Sequence, residues 1–200
     1  EDSCELEGEP ELQWFLDPLD GTLNFAHGVP FYCVSVGYAY RGDMALGVVY
    51  DPLRDELFAA QRGQGAALND QPIRVSEETD LINCMLVTGF PHDQAAWGTP
   101  ADNTANFFRF NTLCQTVRRL GSAALDVVDV AAGRVDGYWH GEINQWDVAA
   151  GGLIVREAGG VVTDAFGSPD FLAKPVSILC ANPAIHEIIL AVLEEVRSTV

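Results

Sequence analysis

The chain has 200 residues, of which 48% are apolar and 20% are charged, so it can build a core of one large or two small domains and is too apolar for disorder. With 29 acidic and 11 basic residues, the net charge is −18, which argues against a general nucleic-acid binder or a protein of anionic membrane surfaces. No apolar run approaches the roughly 18 residues of a membrane span. The acidic N-terminus, which begins Glu1-Asp2, does not resemble a signal peptide.

The first predicted strand is Gln13–Leu16, and we expect Pro18 to end its pairing. An antiparallel hairpin follows, with Cys33–Tyr40 and Met44–Tyr50 as its strands. Leu57–Gln61 predicts a further strand, and the glycine-rich turns after it complete a meander over residues 33–75.

The second half alternates helices with strands. Strands are predicted at 81–88, 135–139, 161–163 and 176–180, and helices at 102–114, 122–132, 148–158 and 183–196. Ser122 is the predicted N-cap of the second of these helices. The pattern indicates a mixed α/β protein: an antiparallel-sheet subdomain over 1–78, an α/β subdomain over 79–200, a boundary near 76–80, and one integrated catalytic unit.

The five cysteines, at positions 4, 33, 84, 114 and 180, are odd in number and include no Cys-x-x-Cys pair. This usage predicts free thiols in a reducing compartment and therefore a cytoplasmic protein.

The segment from Asp17 to Thr22 carries the first chemical signal. Asp17 and Asp20 are three residues apart on a strand-to-helix turn, where both carboxylates can face one point and offer Mg²⁺ the oxygen ligands it prefers. The amides of Gly21 and Thr22 would open the helix, where a phosphate is stabilised. The alternative is a simple Asp-capped turn. Leu19 excludes an EF-hand loop, and Pro18 occupies the position of the nucleophilic aspartate in aspartyl-phosphate phosphatases.

Asp147 carries the second signal, because it begins a helix whose next residues, 149–152, are all alanine or glycine. By itself it could be an ordinary helix-capping residue. The small residues predict that another element packs very closely against this helix.

Three segments together resemble the inositol monophosphatase family. Residues 14–25 resemble its Asp-Pro-hydrophobic-Asp-Gly-Thr motif, and residues 146–160 its Trp-Asp-x-Ala-Ala-Gly…Glu-Ala-Gly-Gly motif. Residues 118–124 are similar to the segment between them. The resemblance implies a layered α-β-α-β-α sandwich, Mg²⁺-dependent hydrolysis of a small phosphorylated alcohol or sugar, inhibition by lithium, and a homodimer. The charge balance, not the resemblance, predicts that the protein binds neither nucleic acid nor membrane.

The resemblance also assigns roles to residues. It implies that Asp17, Asp20 and Asp147 bind two or three Mg²⁺ ions together with the carbonyl of Leu19. Thr22 would orient a water that attacks phosphorus directly, and the amides of residues 20–22 would hold the phosphate. Four residues would contact the alcohol side of the substrate: Arg118, Gly121, Ser122 and Ala123.

The chain departs from the family pattern in two places. The family carries an acidic Gly-Glu-Glu motif upstream of Asp17, and one Glu of this motif binds metal and helps to activate the water. Glu1 is the best candidate for that Glu, and the alternative is that Glu1 is the neighbouring Glu of the same motif. The pair of helices that normally precedes this motif is expected to be absent from the sequence.

The second departure is at the position seven residues before the metal-binding Asp147, where inositol-specific members hold a Glu. Here it is His140, with Glu142 two residues further on. Either Glu142 substitutes for that Glu, or the substrate differs. We expect an inositol 1-phosphate phosphatase, and the alternatives are a phosphatase of fructose bisphosphate, histidinol phosphate or a nucleotide 3′-phosphate, or a catalytically weak metal-binding scaffold.

Overall fold

The computed structural model describes residues 11–91 and 102–199. Its first sheet has six strands in sequence order, all antiparallel: β1 (Leu12–Asp20), β2 (Cys33–Tyr40), β3 (Asp43–Asp51), β4 (Glu56–Gln61), β5 (Ala66–Leu68) and β6 (Gln71–Pro72). A short helix, α1 (Thr22–Ala26), follows β1 directly. Along β2 and β3, buried and more exposed residues mostly alternate, as expected for a sheet with one face on the core. The predicted meander is confirmed.

The predicted end of the first strand at Pro18 is wrong, because β1 continues to Asp20. Asp17 pairs with Ser35, the register then shifts, and Asp20 pairs with Cys33. Proline cannot donate a ladder hydrogen bond, but an irregularity in an edge strand accommodates it. The strand therefore delivers Asp20, as well as Asp17, to the same end of the sheet.

The second sheet has five strands in the order β10-β11-β9-β7-β8. Its members are β7 (Met85–Thr88), β8 (Thr116–Arg118), β9 (Gly137–His140), β10 (Val161–Thr163) and β11 (Ile178–Ala181). The strand predicted at 81–88 begins late, because the amides of Asn83 and Cys84 bond back to the carbonyls of Asp80 and Leu81 and form a 3₁₀ turn over Leu81–Asn83.

The four longer helices are α2 (Thr104–Asn111), α3 (Ala123–Ala131), α4 (Gln145–Glu157) and α5 (Pro183–Arg197). The predicted cap of α3 is confirmed, because the Ser122 hydroxyl accepts a hydrogen bond from the Leu125 amide at 3.4 Å. Helix α4 begins three residues before the predicted start because Asn144 caps it. No helix among residues 11–91 and 102–199 is both long and apolar enough to cross a membrane.

Helices α3 and α4 pack between the two sheets, and α2 and α5 pack on the far side of the second sheet. The close packing predicted for α4 is confirmed, since a Cβ on Gly47 of β3 would lie 2.6 Å from the carbonyl oxygen of Ala150. The mixed α/β class is confirmed. Four of the five expected layers lie within the described residues: the two sheets, the helix pair α3 and α4, and the helix pair α2 and α5. Within these residues, the outer face of the six-stranded sheet exposes Leu12, Trp14 and Leu16.

One buried cluster joins residues from both halves of the chain, including Phe15 and Val49 from the first sheet and Val127 and Ile154 from the helices. The subdomain boundary near residues 76–80 stays a prediction. Four cysteines, Cys33, Cys84, Cys114 and Cys180, are buried free thiols, and Cys4 lies outside the described residues.

Candidate active site

The turn from β1 into α1 places the first two aspartates. Asp20 is buried at the end of β1, and the Oδ1 of Asp17 accepts the Leu19 amide at 3.0 Å. Gly21 turns the chain with φ of 84°, a left-handed conformation that favours glycine. A Cβ at this position would also lie 2.9 Å from the carbonyl oxygen of Phe31. The motif therefore needs its glycine for two independent reasons.

The start of α4 places the third aspartate. The Oδ2 of Asp147 accepts hydrogen bonds from the backbone amide of Asn144 at 3.1 Å and from its side-chain amide at 3.2 Å. This arrangement is part of a capping box, so the ordinary capping role considered for Asp147 is real. It coexists with the approach of Asp147 to the other two aspartates.

Asp17, Asp20 and Asp147, called the acidic triad below, bring one carboxylate oxygen each to within 4.8 Å of one another. Burial, together with the charge of Asp17, raises the pKa of Asp20 to about 6, although hydrogen bonds from Ser122 and Ala124 oppose the rise. Burial and then the charge of Asp20 raise the pKa of Asp147 to about 8. Neither Asp20 nor Asp147 forms an ion pair with a basic residue of the described chain. Three crowded oxygen donors whose charges repel one another suit a hard divalent cation.

Asp20 is also held by the N-terminal end of α3 and its capping residue. Its Oδ2 accepts hydrogen bonds from the Ser122 hydroxyl at 2.5 Å and from the Ala124 amide at 2.8 Å. The Ser122 hydroxyl therefore both caps α3 and donates to the triad. The Cys33 thiol lies 3.9 Å from the same oxygen, and burial raises its pKa far above the usual value, so it stays a thiol.

The triad lines a cleft with a volume of about 430 Å³. Most of the other predicted site residues within the described chain line it too: Leu19, Gly21, Thr22, Gly121, Ser122, Ala123 and His140. Glu142, the predicted substitute for His140, also lines the cleft. His140 is 8% exposed and Glu142 is exposed, so His140 lies deeper. Glu1 lies outside the described residues.

Arg118 is the predicted residue that the structure does not place at the cleft. Its guanidinium bonds back to Thr116 on its own strand, and its neighbour Arg119 lines the cleft instead, with the guanidinium 5.3 Å from the centre of the Phe90 ring. Arg118 is the last residue of β8, whereas Arg119 lies just beyond the strand, where the chain runs along the cleft. Gly121, with φ of 92°, follows them.

Sequence reasoning missed Asn24, whose side-chain amide donates to the carbonyl of Phe31 at 2.8 Å and to that of Leu120 at 2.9 Å. It ties the turn after β1 to the segment before α3. A Cβ on Gly121 would lie 2.9 Å from the Asn24 amide nitrogen, which explains the glycine there. In the sequence, the signal for Asn24 was its position within the first family motif, residues 14–25.

Three buried side chains on the cleft, Asp126, Tyr138 and His140, are called the inner polar group below. The Tyr138 hydroxyl lies 3.1 Å from the Nδ1 of His140. Sequence reasoning found only His140, because Asp126 looks like a helix residue and Tyr138 like a strand residue. No local pattern brings them together.

Comparisons with known proteins agree with this geometry. Residues 2–198 match the profile of the inositol monophosphatase family. The chain is 46% identical over 193 residues to the Nus factor SuhB of Pasteurella multocida, covering 94% of this chain and 70% of that protein. It is 49% identical over 174 residues to an inositol-1-monophosphatase of Synechocystis, and the match covers 87% of this chain and 60% of that protein. The chain thus spans some three fifths to seven tenths of these relatives.

A solved structure of an inositol monophosphatase from Anabaena (Nostoc) superimposes with a TM-score of 0.89 at 46% identity, covering 94% of this chain and 74% of that one. The chain belongs to the inositol monophosphatase family, whose members are phosphomonoester hydrolases.

Proposed function

From membership in this family, we propose that the protein hydrolyses a small phosphorylated alcohol, with inositol 1-phosphate as the first candidate and Mg²⁺ as the cofactor. The observation that carries the proposal is the acidic triad, Asp17, Asp20 and Asp147, with its oxygens within 4.8 Å of one another on a cleft of about 430 Å³. A cleft of this size accommodates a phosphorylated six-membered ring. A relative named inositol-1-monophosphatase supports the substrate class.

The triad fits the proposed cofactor because its donors are all carboxylate oxygens. In the proposal, Asp17, Asp20, Asp147 and the Leu19 carbonyl hold two or three Mg²⁺ ions, and Glu1 is a further ligand. When bound, Mg²⁺ supplies positive charge for the phosphate and lowers the pKa of a coordinated water. The chain needs such a charge, because its own net charge of −18 repels a phosphate dianion.

The remaining chemistry falls to the chain's own residues. The Thr22 hydroxyl, which is exposed on the cleft, orients the attacking water towards phosphorus. A bond forms between phosphorus and the water oxygen while the bond between phosphorus and the alcohol oxygen breaks. The water gives up one proton, and the leaving alkoxide takes one up. The amides of Gly21 and Thr22 bind the phosphate oxygens in this proposal. The Gly21 amide also interacts with the Asp20 carboxylate, whose pKa it lowers against the effect of burial.

The alcohol leaves from the other side of the cleft. There we propose contacts from Gly121, Ala123 and His140, which line the cleft, and from Arg119 in place of Arg118. The hydroxyl of Ser122 is already bonded to Asp20, so its part is to hold the triad.

Phosphate release from a substrate panel tests the proposal. The panel contains inositol 1-phosphate, fructose 1,6-bisphosphate, histidinol phosphate and adenosine 3′-phosphate, each with Mg²⁺, with chelator, and with Mg²⁺ plus Li⁺. We expect turnover only with Mg²⁺, highest for inositol 1-phosphate and inhibited by Li⁺. If another compound of the panel is hydrolysed faster, that compound replaces inositol 1-phosphate as the proposed substrate. If no compound releases phosphate, the proposed activity is wrong.

A second candidate function is a catalytically weak, metal-binding scaffold that acts through a protein partner. The observation that favours it is that a relative covering 94% of the chain carries the name Nus factor SuhB. Mg²⁺ binding without phosphate release would support it. The homodimer and the cytoplasmic location stay predictions, which sedimentation and fractionation can test.

A further inference from the structure

Asp126 is the unusual member of the inner polar group. It lies in the first turn of α3, lines the cleft, and is only 2% exposed. Its Oδ1 is completely buried and has no hydrogen-bond partner in residues 11–91 and 102–199. Because Asp126 lines the cleft, a ligand bound there lies against this side chain.

The other buried aspartates of the described chain show how acids are normally accommodated. Asp20 accepts hydrogen bonds from Ser122 and Ala124, and Asp51 is paired with Arg54 at 2.7 Å. Asp129, one turn after Asp126 on the same helix, is paired with Arg134 at 3.1 Å. A buried polar group left unpaired costs folding free energy, and an apolar residue would avoid that cost.

The neighbours of Asp126 make the cleft wall suitable for a polar ligand. The Tyr138 hydroxyl is 3.1 Å from the Nδ1 of His140, which fixes the imidazole. Gly89 leaves room for that ring, since a Cβ there would lie 2.6 Å from its Cε1. Burial and then the charge of Asp126 raise the pKa of Tyr138, so it stays a phenol. The wall thus offers a carboxyl, a phenol and an imidazole.

We propose that Asp126 exchanges a hydrogen bond with a hydroxyl group of the substrate's alcohol, and so selects polyhydroxylated phosphomonoesters, such as phosphates of a cyclitol or a sugar. This inference rests on the proposed function. A hydroxyl both donates and accepts, and therefore fits Asp126 whether its carboxyl is protonated or not. A bound substrate hydroxyl provides the hydrogen-bond partner that Asp126 lacks within the described chain. Asp126 is therefore a specificity-determining residue in this proposal.

The test uses Asp126→Leu, which keeps the branched shape without polar atoms, and Asp126→Asn, which keeps hydrogen-bonding groups. Their kcat/KM is measured with inositol 1-phosphate, with 4-nitrophenyl phosphate, which has no hydroxyl, and with phosphoethanolamine, which has an ammonium group. We expect Asp126→Leu to lower kcat/KM for inositol 1-phosphate by roughly 10-fold or more, with less than about a two-fold change for 4-nitrophenyl phosphate. Asp126→Asn should lower kcat/KM for inositol 1-phosphate by a smaller factor.

The melting temperature separates this role from a structural one. Asp126→Leu should be at least as stable as the wild type, because it removes an unpaired buried carboxyl. The matched control is Asp129→Asn on the same helix, outside the cleft, which should lower the melting temperature without changing substrate preference.

Equal losses on inositol 1-phosphate and 4-nitrophenyl phosphate, or no loss on either, would overturn the inference. A selective loss on phosphoethanolamine would also overturn it in favour of a cationic ligand. If Asp126→Leu does not fold, Asp126→Asn decides alone, and unchanged substrate preference in that variant counts against the inference. If the wild type releases no phosphate from any substrate, the proposed function has failed instead.

Discussion

The acidic triad and the inner polar group lie on the same cleft, but they are built differently. The triad comes from two short segments, the end of β1 and the start of α4, and its members share hydrogen bonds with backbone amides and Ser122. The inner polar group comes from α3 and β9, and its carboxyl has an unpartnered oxygen within the described chain. In our proposals, the triad binds a cation and the inner polar group contacts the substrate.

The largest expected effect separates the two regions by activity. Asp147→Asn preserves size but removes one charge from the triad. We expect kcat to fall by at least about 10²-fold for every substrate, because metal-based stabilisation of the transition state contributes several kcal/mol. The control, Asp170→Asn, changes an exposed aspartate outside the cleft and should behave as the wild type. A near-normal kcat of Asp147→Asn at saturating Mg²⁺ would mean that Asp147 serves only to cap α4.

A second expected effect concerns stability and pH without metal. The pKa values of Asp20 and Asp147 are raised to about 6 and about 8 from an ordinary value of 3.8. Between about pH 4 and pH 8 the folded chain therefore holds more protons than the unfolded chain, and stability falls as pH rises through this window. In chelator we expect the melting temperature to drop by on the order of 10 °C from pH 5 to pH 8, equivalent to about 5 kcal/mol.

Mg²⁺ should reverse this trend, because a cation competes with protons for the same carboxylates. Asp147→Asn should flatten the slope in chelator, since one of the titrating groups is gone. A melting temperature that rises with pH in chelator would mean that the triad is not destabilised by its own charges.

The smallest expected effect concerns substrate preference at the inner polar group. His140→Glu introduces an acceptor for a substrate hydroxyl in the inner polar group. We expect kcat/KM for inositol 1-phosphate to rise by about 5- to 30-fold relative to glycerol 2-phosphate, or roughly 1–2 kcal/mol, with Mg²⁺ dependence unchanged. Glu142→Gln is the control, because it tests the exposed acid two residues away. If Glu142→Gln alters the preference and His140→Glu does not, Glu142 is the substrate contact.

The two regions also differ in how far the sequence predicts them. Asp17, Asp20 and Asp147 stand in local patterns, where strand, turn and helix cap together decide the direction of each side chain. The meander, α3 with its Ser122 cap and the mixed α/β class followed from alternation and spacing in the same way. The direction of each of these side chains depends on neighbours within a few residues. The meeting of Asp147 with Asp17 and Asp20 depends on the packing of α4 against β1, and in the sequence it was implied only by the resemblance to the family.

The rest depends on contacts between distant segments. Asp126 and Tyr138 meet on the cleft only because α3 packs against β9. The exchange of Arg118 for Arg119 depends on where β8 ends against β7, since Arg118 still pairs with Val87 and Arg119 lies just beyond the strand. The continuation of β1 past Pro18 needs the partner strand β2, whose register shift absorbs the proline. Such features require the assembled sheet.

Titration calorimetry with Mg²⁺ tests the central claim, that the acidic triad is a cation site separate from the inner polar group. The wild-type chain, Asp147→Asn and His140→Glu are compared near pH 8. We expect saturable binding to the wild type, unchanged binding to His140→Glu, and at least about a ten-fold weaker affinity for Asp147→Asn, since one of three anionic ligands is lost. The same isotherm for Asp147→Asn and the wild type, or no binding to the wild type, would contradict it.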